Sequence, residues 1–175
     1  EFINAIAGTK VIRPKTAWVT TFNTRCGIAE YSKGLLENYP DGDVLVLPPN
    51  TGTPLDEEIE NKLKRIWTER GDLSRLTEEI MSSDMNTVVV QHNWGFFEVK
   101  SFNEFILKLS SKKNVILEMH ALRDISLNAY PDLERILPSL KAASRIIVHD
   151  ISDLNLLKTY GLIDNTMILS LAFPM

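Results

Sequence analysis

The chain has 175 residues, of which 44% are hydrophobic and 24% charged, and its formal net charge is −4. This length suits one domain with a sizeable core, and the composition excludes a disordered or low-complexity protein. Basic and acidic residues are mixed along the chain without a basic stripe. We therefore expect no nucleic-acid partner.

The single cysteine, Cys26, cannot form an internal disulfide, and the chain has no zinc-type ligand spacing. A reducing, cytoplasmic setting is therefore expected. Residues 1–10 lack the pattern of a secretory signal, and no apolar run reaches the roughly 18 residues that span a bilayer. Peripheral membrane contact stays open.

Short β-rich runs alternate with longer segments of helical period. Several of the runs are almost continuously apolar, which is typical of parallel strands covered on both faces. The pattern predicts an α/β fold, a Rossmann-like three-layer sandwich with a mostly parallel sheet of about seven strands. The ambiguous segment 55–67 is assigned a short strand near 65–67. The other predicted strands are 17–22, 44–47, 87–91, 115–119, 145–148 and 167–171.

The intervening helices are predicted from their apolar stripes. The first runs over 27–39, and Pro138 predicts a kink or an early end in a later one. Asp150 is expected to cap the last helix and Gly161 to close it. The stripes are Ile28, Leu35, Leu36 and Tyr39; Leu73, Leu76 and Ile80; Phe102, Phe105, Ile106 and Leu109; and Leu133, Ile136, Leu137 and Leu140.

Ligands bind open parallel sheets outside the carboxyl ends of the strands, which directs attention to four loops. The first, 23–27, ends in Gly27, where the backbone can approach a ligand and the helix N-terminus directs amides at phosphate. Taken alone, one glycine before a helix is more often ordinary turn chemistry than a ligand site. The loop is neither GxGxxG nor a P-loop.

The second loop contains His92, Asn93, Trp94 and Gly95, followed by two phenylalanines. Such residues can line a sugar pocket through stacking and hydrogen bonding. The alternative is that the aromatic side chains close the core. Both interpretations stay open on the sequence.

His120 ends the fourth predicted strand, where an imidazole can donate to or accept from a ligand oxygen. A structural role is the alternative. In the same loop Arg123 could pair with a phosphate or with Asp124. The fourth loop begins at His149, and Asp150 there is assigned to the helix cap. There is no GxSxG, HExxH or paired-carboxylate arrangement, so a self-contained hydrolase is not expected.

At these loops the sequence resembles the N-terminal domain of glycosyltransferase family 4, which has the GT-B fold. The most specific signal is the Arg-Cys-Gly-Ile-Ala run within 17–33. Segments 90–97, 115–120 and 143–150 are similar to later strand ends of that domain. The resemblance covers about residues 16 to 173.

The resemblance implies transfer of a sugar, with retention of configuration and without a metal, from a nucleotide diphosphate sugar to a glycan or lipid-linked acceptor, as in polysaccharide biosynthesis. The donor diphosphate would lie at Arg25, Cys26 and Gly27, and the catalytic histidine near the transferred sugar would be His120. The acceptor or sugar pocket would be formed by Asn23, His92, Asn93, Trp94, Gly95 and Arg123.

Residues 1–15 are then an N-terminal extension or linker, and 16–175 form the acceptor-side domain. The chain stops directly after an apolar run, so we expect it to be cut before a C-terminal donor-binding domain of the same protein, and to be inactive alone. The glycine loop has one glycine where many members have two. The predicted last strand is followed by Ala-Phe-Pro rather than the common Pro-His-Gly.

Two other functions stay open. One is a non-catalytic sugar- or nucleotide-binding module that keeps the fold without the chemistry. The other is a dinucleotide-dependent oxidoreductase domain, which is disfavoured because the first loop lacks GxGxxG and no acidic residue ends the strand at 44–47.

Overall fold

A computed structural model of the chain describes residues 15–39, 42–123 and 133–170. These residues form six strands and six helices that alternate along most of the chain. In chain order they are β1 (Lys15–Val19), α1 (Gly27–Glu37), β2 (Asp43–Leu47), α2 (Glu57–Glu60), α3 (Ser74–Ser82), β3 (Thr87–His92), α4 (Val99–Ser110), β4 (Asn114–Met119), α5 (Leu133–Ala142), β5 (Arg145–Val148), α6 (Ile151–Thr159) and β6 (Thr166–Ile168).

The strands form one sheet in the order β2-β1-β3-β4-β5-β6, and every neighbouring pair is parallel. The strand order reverses between β1 and β3, which makes their junction the topological switch point. Helices cover the sheet because parallel strands need crossover connections. The predicted Rossmann-like α/β class is confirmed.

The core lies between the sheet and the apolar stripes of the helices. Phe102, Phe105, Ile106 and Leu109 of α4 are all at most 1% exposed, as their spacing predicts. The central strand β3 is buried from its second residue onward. The stripe of α3 is buried as well, and that of α5 is buried except for the half-buried Leu137.

The expected seventh strand near 65–67 is wrong: six strands form among the described residues. Trp67 makes only an isolated bridge to Pro49. Its ring instead enters the core, 2% exposed, where it stacks on Phe97 at 5.3 Å and donates to the Leu47 carbonyl at 2.9 Å. The side chain therefore anchors this segment without a ladder of backbone hydrogen bonds.

The face that α1 turns toward the sheet differs from the prediction. Ala29, Tyr31 and Ser32 are the buried residues, and the helix ends at Glu37. The reason is that Tyr31 and Ser32 pair with polar groups at the carboxyl edge of the sheet, so part of the contact is polar. The residues expected to be buried are only half-buried: Ile28, Leu35, Leu36 and Tyr39.

The predicted helix signals have mixed outcomes. Asp150 caps α6 by accepting from the Ser152 N–H at 2.6 Å, and Gly161 after it has a φ of 75°. Pro138 does not end α5, which continues to Ala142. The expected extension falls almost wholly on residues 1–14, which lie outside the described residues, as do 171–175.

No helix in the described ranges is long and apolar enough to cross a membrane.

Candidate functional site at the carboxyl edge of the sheet

A buried polar network joins β1, β3 and α1 at the switch point. Gln91, the penultimate residue of β3, is fully buried. Its side-chain oxygen lies 2.6 Å from the Thr20 hydroxyl and 2.7 Å from the Ser32 hydroxyl. Because these hydroxyls donate to the oxygen, the amide nitrogen is oriented toward β4.

Glu118 on β4 accepts a hydrogen bond from that nitrogen. It lies opposite Gln91 in the parallel register and is 2% exposed. The Gln91 amide donates to Oε2 at 2.9 Å, and the Tyr31 hydroxyl donates to Oε1 at 2.6 Å. A buried carboxylate needs such donors because it has lost its hydration. The Tyr31 bond also holds α1 against the end of β4.

Two histidines follow the ends of β4 and β5 and lie beside this carboxylate. The rings of His120 and His149 are 5.1 Å apart, and Tyr31 stands edge-on to both, at 5.4 and 5.8 Å. His149 Nε2 lies 3.5 Å from Glu118 Oε1. We call Tyr31, Glu118, His120 and His149 the carboxyl-edge cluster.

Burial shifts the pKa values of Tyr31 and His120. It raises the pKa of Tyr31, with a further contribution from the hydrogen-bonded carboxylate. Burial, together with a smaller contribution from the neighbouring His149, lowers the pKa of His120 to about 4. At neutral pH His120 is therefore a neutral imidazole that can both donate and accept. Nearby, burial raises the pKa of Asp153 on α6.

The predicted diphosphate loop lies directly before α1. Gly27 begins the helix, and a Cβ added there would meet no atom within 4 Å. Cys26 holds the N-cap position in an extended conformation, without a side-chain capping hydrogen bond. Arg25 is exposed. The loop thus presents a helix N-terminus and a cation to open space, one helical turn from Tyr31.

Asn23 has a structural role in the first loop. Its backbone is left-handed, with a φ of 53°. The side chain donates to the Asp56 carbonyl at 2.8 Å and to Glu60 at 2.9 Å, and it accepts from the Asp56 N–H at 3.0 Å. Asn23 therefore fixes the first loop to α2. It also lines a groove of about 250 Å³ beside α1, together with Glu30 and Lys33.

His92 lies in the core, where a ligand does not reach it. It is 1% exposed and contacts the rings of Trp94, Phe97 and Phe102 at 5.0, 5.8 and 4.8 Å. This burial, with a smaller contribution from His120, lowers its pKa to about 3. A pocket role for His92 does not fit this placement, because the ring is buried among aromatic side chains and its Nδ1 has no hydrogen-bond partner among the described residues.

The rest of the second loop is a compact turn. Asn93 accepts from the Gly95 N–H at 2.9 Å, so its side chain stabilises the turn. The half-buried Trp94 donates to the Leu122 carbonyl at 3.1 Å and thereby ties this loop to the one that holds Arg123. Arg123 is exposed. Of the predicted pocket residues, these loops bring Trp94 and Arg123 near each other, and Asn23 lies with α2.

The neighbours of His120 are not predicted from the sequence. Tyr31 lies inside a helix, and His149 is predicted only to begin a loop. A signal existed: Gln91 and Glu118 are polar residues near the ends of apolar strands, and neighbouring parallel strands place such positions side by side. Buried polar residues there require each other as hydrogen-bond partners.

The sequence matches no known protein family and no curated protein. The structure does resemble solved structures. An α-glucosyltransferase in complex with UDP and a 13-mer DNA has a TM-score of 0.57 at 12% identity, over 93% of this chain and 43% of that chain. An α-glucosyltransferase with UDP-glucose and DNA gives 0.57 at 13% identity, over 91% and 42%. One in complex with UDP gives 0.56 at 12% identity, over 91% and 44%.

The chain has the fold of one half of a GT-B glycosyltransferase. It spans less than half the length of these neighbours. At this identity the likeness establishes the fold. The carboxyl-edge cluster and the α1 N-terminus lie at the edge of the GT-B half where open parallel sheets bind ligands.

The burial of His92 predicts that the free energy of unfolding decreases at acid pH. The unfolded chain takes up a proton at this ring below about pH 6.5, whereas the folded chain takes it up only near pH 3. Falling pH therefore favours unfolding, and at pH 5 this one group lowers the free energy of unfolding by about 2 kcal/mol relative to pH 7. The contribution is lost progressively as pH falls from 6.5 toward 3.

Urea unfolding of the wild type and of His92→Leu at pH 7 and pH 5 measures this contribution. The loss of stability between the two pH values should be about 2 kcal/mol smaller in the variant. Phe102→Leu is the matched control, since it weakens packing against the same ring without removing a titrating group. Equal losses in wild type and His92→Leu would contradict the prediction.

Proposed function

We propose that this chain is the acceptor-side domain of a retaining glycosyltransferase of the family 4 type. The enzyme would transfer a sugar from a nucleotide diphosphate sugar to a glycan or lipid-linked acceptor. The observation that carries the proposal is the carboxyl edge itself, where His120 lies against Tyr31 of α1, one helical turn from the open N-terminus of that helix. The GT-B fold and the UDP bound in the structural neighbours support it.

Each group has a role in the proposed reaction. The bond between the sugar C1 and the donor diphosphate breaks, a bond from C1 to the acceptor oxygen forms, and the acceptor proton passes to the departing diphosphate. The amides at Gly27 and the cation of Arg25 would stabilise the diphosphate, as helix N-termini stabilise anions. Neutral His120 would hydrogen-bond a sugar hydroxyl and orient the ring. This chemistry needs no metal at the diphosphate.

We propose that a second domain of the same protein completes the donor site. The GT-B half spans 43% of the first neighbour, and that neighbour's chain holds the UDP. Half of the donor contacts would then come from outside this chain, and affinity falls steeply when contacts are divided. A non-catalytic binding module with the same fold remains the alternative.

The proposed class of acceptor is argued from the net charge of this chain. Two neighbours are in complex with DNA. This chain has 23 acidic and 19 basic residues, which does not favour binding to a phosphate backbone. We therefore propose an uncharged glycan or a lipid-linked acceptor, and DNA belongs in the acceptor assay as the competing candidate.

Calorimetric titration of UDP and UDP-glucose into this chain and into the longer protein that contains it tests the proposal. We expect the longer protein to bind, and this chain to bind at least about 100-fold more weakly, because about 2.7 kcal/mol of contacts would be missing. Equal, tight binding by both would contradict the acceptor-side assignment. Binding by neither, with GDP-mannose tested in parallel, would contradict the proposed activity.

A further inference from the structure

Three potential metal ligands meet at the ends of β4 and β5. The carboxylate of Glu118 and one ring nitrogen each of His120 and His149 lie within 4.8 Å of one another. The ligands come from two strand ends, so no local spacing in the sequence reveals them. Two imidazoles and a carboxylate are a ligand set that Zn²⁺ and related transition metals accept.

The hydrogen bond at the far side of His149 determines what this ring presents to Glu118. Nδ1 lies 2.7 Å from the Leu169 carbonyl oxygen, which only accepts, so Nδ1 must carry a hydrogen. The ring therefore turns Nε2 toward Glu118, where it lies 3.5 Å from Oε1 in a buried place. An ion held there would contact both atoms.

The same arrangement matches the outer shell of a metal site. Metal-binding histidines commonly donate their other N–H to a backbone carbonyl, and metal-binding carboxylates are themselves hydrogen-bonded. His149 donates to Leu169, and Glu118 accepts from Tyr31 and Gln91. These contacts would fix the orientation of two ligands before an ion arrives.

His120 supplies the third ligand. Its Nε2 is buried and has no hydrogen-bond partner among the described residues, as is also true of His149 Nε2. An unpaired buried polar atom is unfavourable, and a bound ion removes the penalty at both rings. We propose that Glu118, His120 and His149 bind one transition-metal ion, with Zn²⁺ as the expected occupant.

The separations of the ligand atoms suit this ion after a small adjustment. Ligands about 2.1 Å from a tetrahedral ion are roughly 3.4 Å apart, a separation that His149 Nε2 and Glu118 Oε1 already have at 3.5 Å. The His120 nitrogen is at most 4.8 Å from the other two, and its Nε2 makes no hydrogen bond with the described residues that a movement toward them would break. The fourth position stays open for water. Where His120 contacts a donor sugar, as proposed above, ion and sugar compete for it.

The test uses this chain without any nucleotide sugar, so its result is independent of the proposed activity. Zn²⁺ is titrated by calorimetry, and Co²⁺ is followed by its visible absorption. We expect one ion per chain and the intense band of four-coordinate Co²⁺. His149→Gln and His120→Gln should each weaken binding by at least about 100-fold, more than changes in the outer shell typically do.

The carboxylate ligand has a matched control. Glu118→Gln should weaken Zn²⁺ binding, whereas Glu104→Gln, the same change at an exposed position on α4, should not. Circular dichroism of each variant without metal establishes that it is folded, and Tyr31→Phe, which keeps all three ligands, should weaken binding by about 10-fold.

Two results would overturn the proposal. One is Zn²⁺ binding that is absent, or undiminished in both histidine variants. The other is a ¹⁵N spectrum in which His149 carries hydrogens on both nitrogens and does not change on adding Zn²⁺, because a proton would then fill the place assigned to the ion.

Discussion

Replacing Gln91 with leucine is expected to lower the free energy of unfolding by about 3 kcal/mol. The substitution conserves volume, so packing changes little. It removes the amide that donates to Glu118 at 2.9 Å and the oxygen that the hydroxyls of Thr20 and Ser32 share. A buried charged group that loses a donor costs more than the roughly 1–3 kcal/mol typical of neutral groups, and partial rearrangement offsets some of that.

Urea unfolding followed by circular dichroism measures this loss. Asn114→Leu serves as the matched control, because it makes the same kind of change at an exposed position, at the start of β4. The control should alter stability by no more than about 0.5 kcal/mol. A change below about 1 kcal/mol in Gln91→Leu would show that the network contributes little to stability.

Replacing His120 with alanine is expected to lower kcat/KM of the longer glycosyltransferase proposed above about 100-fold. The proposed contact is a hydrogen bond from a buried imidazole to the transferred sugar, and removal of one such oriented group in a water-poor site costs on the order of 10²–10³ in rate. The loss should appear mainly in kcat, because the contact orients the sugar for reaction.

Steady-state kinetics with UDP-glucose, after an acceptor has been found, provide the measurement. Lys112→Ala is the control, since Lys112 is exposed before the amino end of the same strand. His120→Gln should recover part of the rate, because its amide can still hydrogen-bond. Unchanged turnover in His120→Ala would exclude a role for this residue in the reaction.

Much of the fold could be predicted because it depends on periodicity. The stripe from Phe102 to Leu109 and the apolar run of β3 need only local spacing and burial. Trp67 could not be predicted in this way. Its segment has strand-like composition, but the ring found a partner in Phe97 and a carbonyl on β2, contacts that depend on tertiary packing.

The candidate site was less predictable, since each partner comes from a different element. His120 was singled out from its place at a strand end, and the structure brings it to the carboxyl-edge cluster. His92, at the corresponding end of β3, is instead enclosed by aromatic rings. The loop after His92 contributes the ring of Phe97, which stacks on it, whereas the described residues directly after His120, which are 121–123, include no aromatic ring. Residue type alone does not show whether a neighbouring loop covers the histidine ring.

The contact between His149 and the Leu169 carbonyl has a mechanical consequence. Leu169 directly follows β6. The position of this residue therefore determines whether Nδ1 of His149 has a carbonyl to which it can donate its hydrogen. Displacement of residue 169 by about 1 Å would break the 2.7 Å bond and free the ring to turn over, exchanging its two nitrogens. The NMR signals of the His149 ring nitrogens should therefore change when residue 169 is displaced from its place after β6.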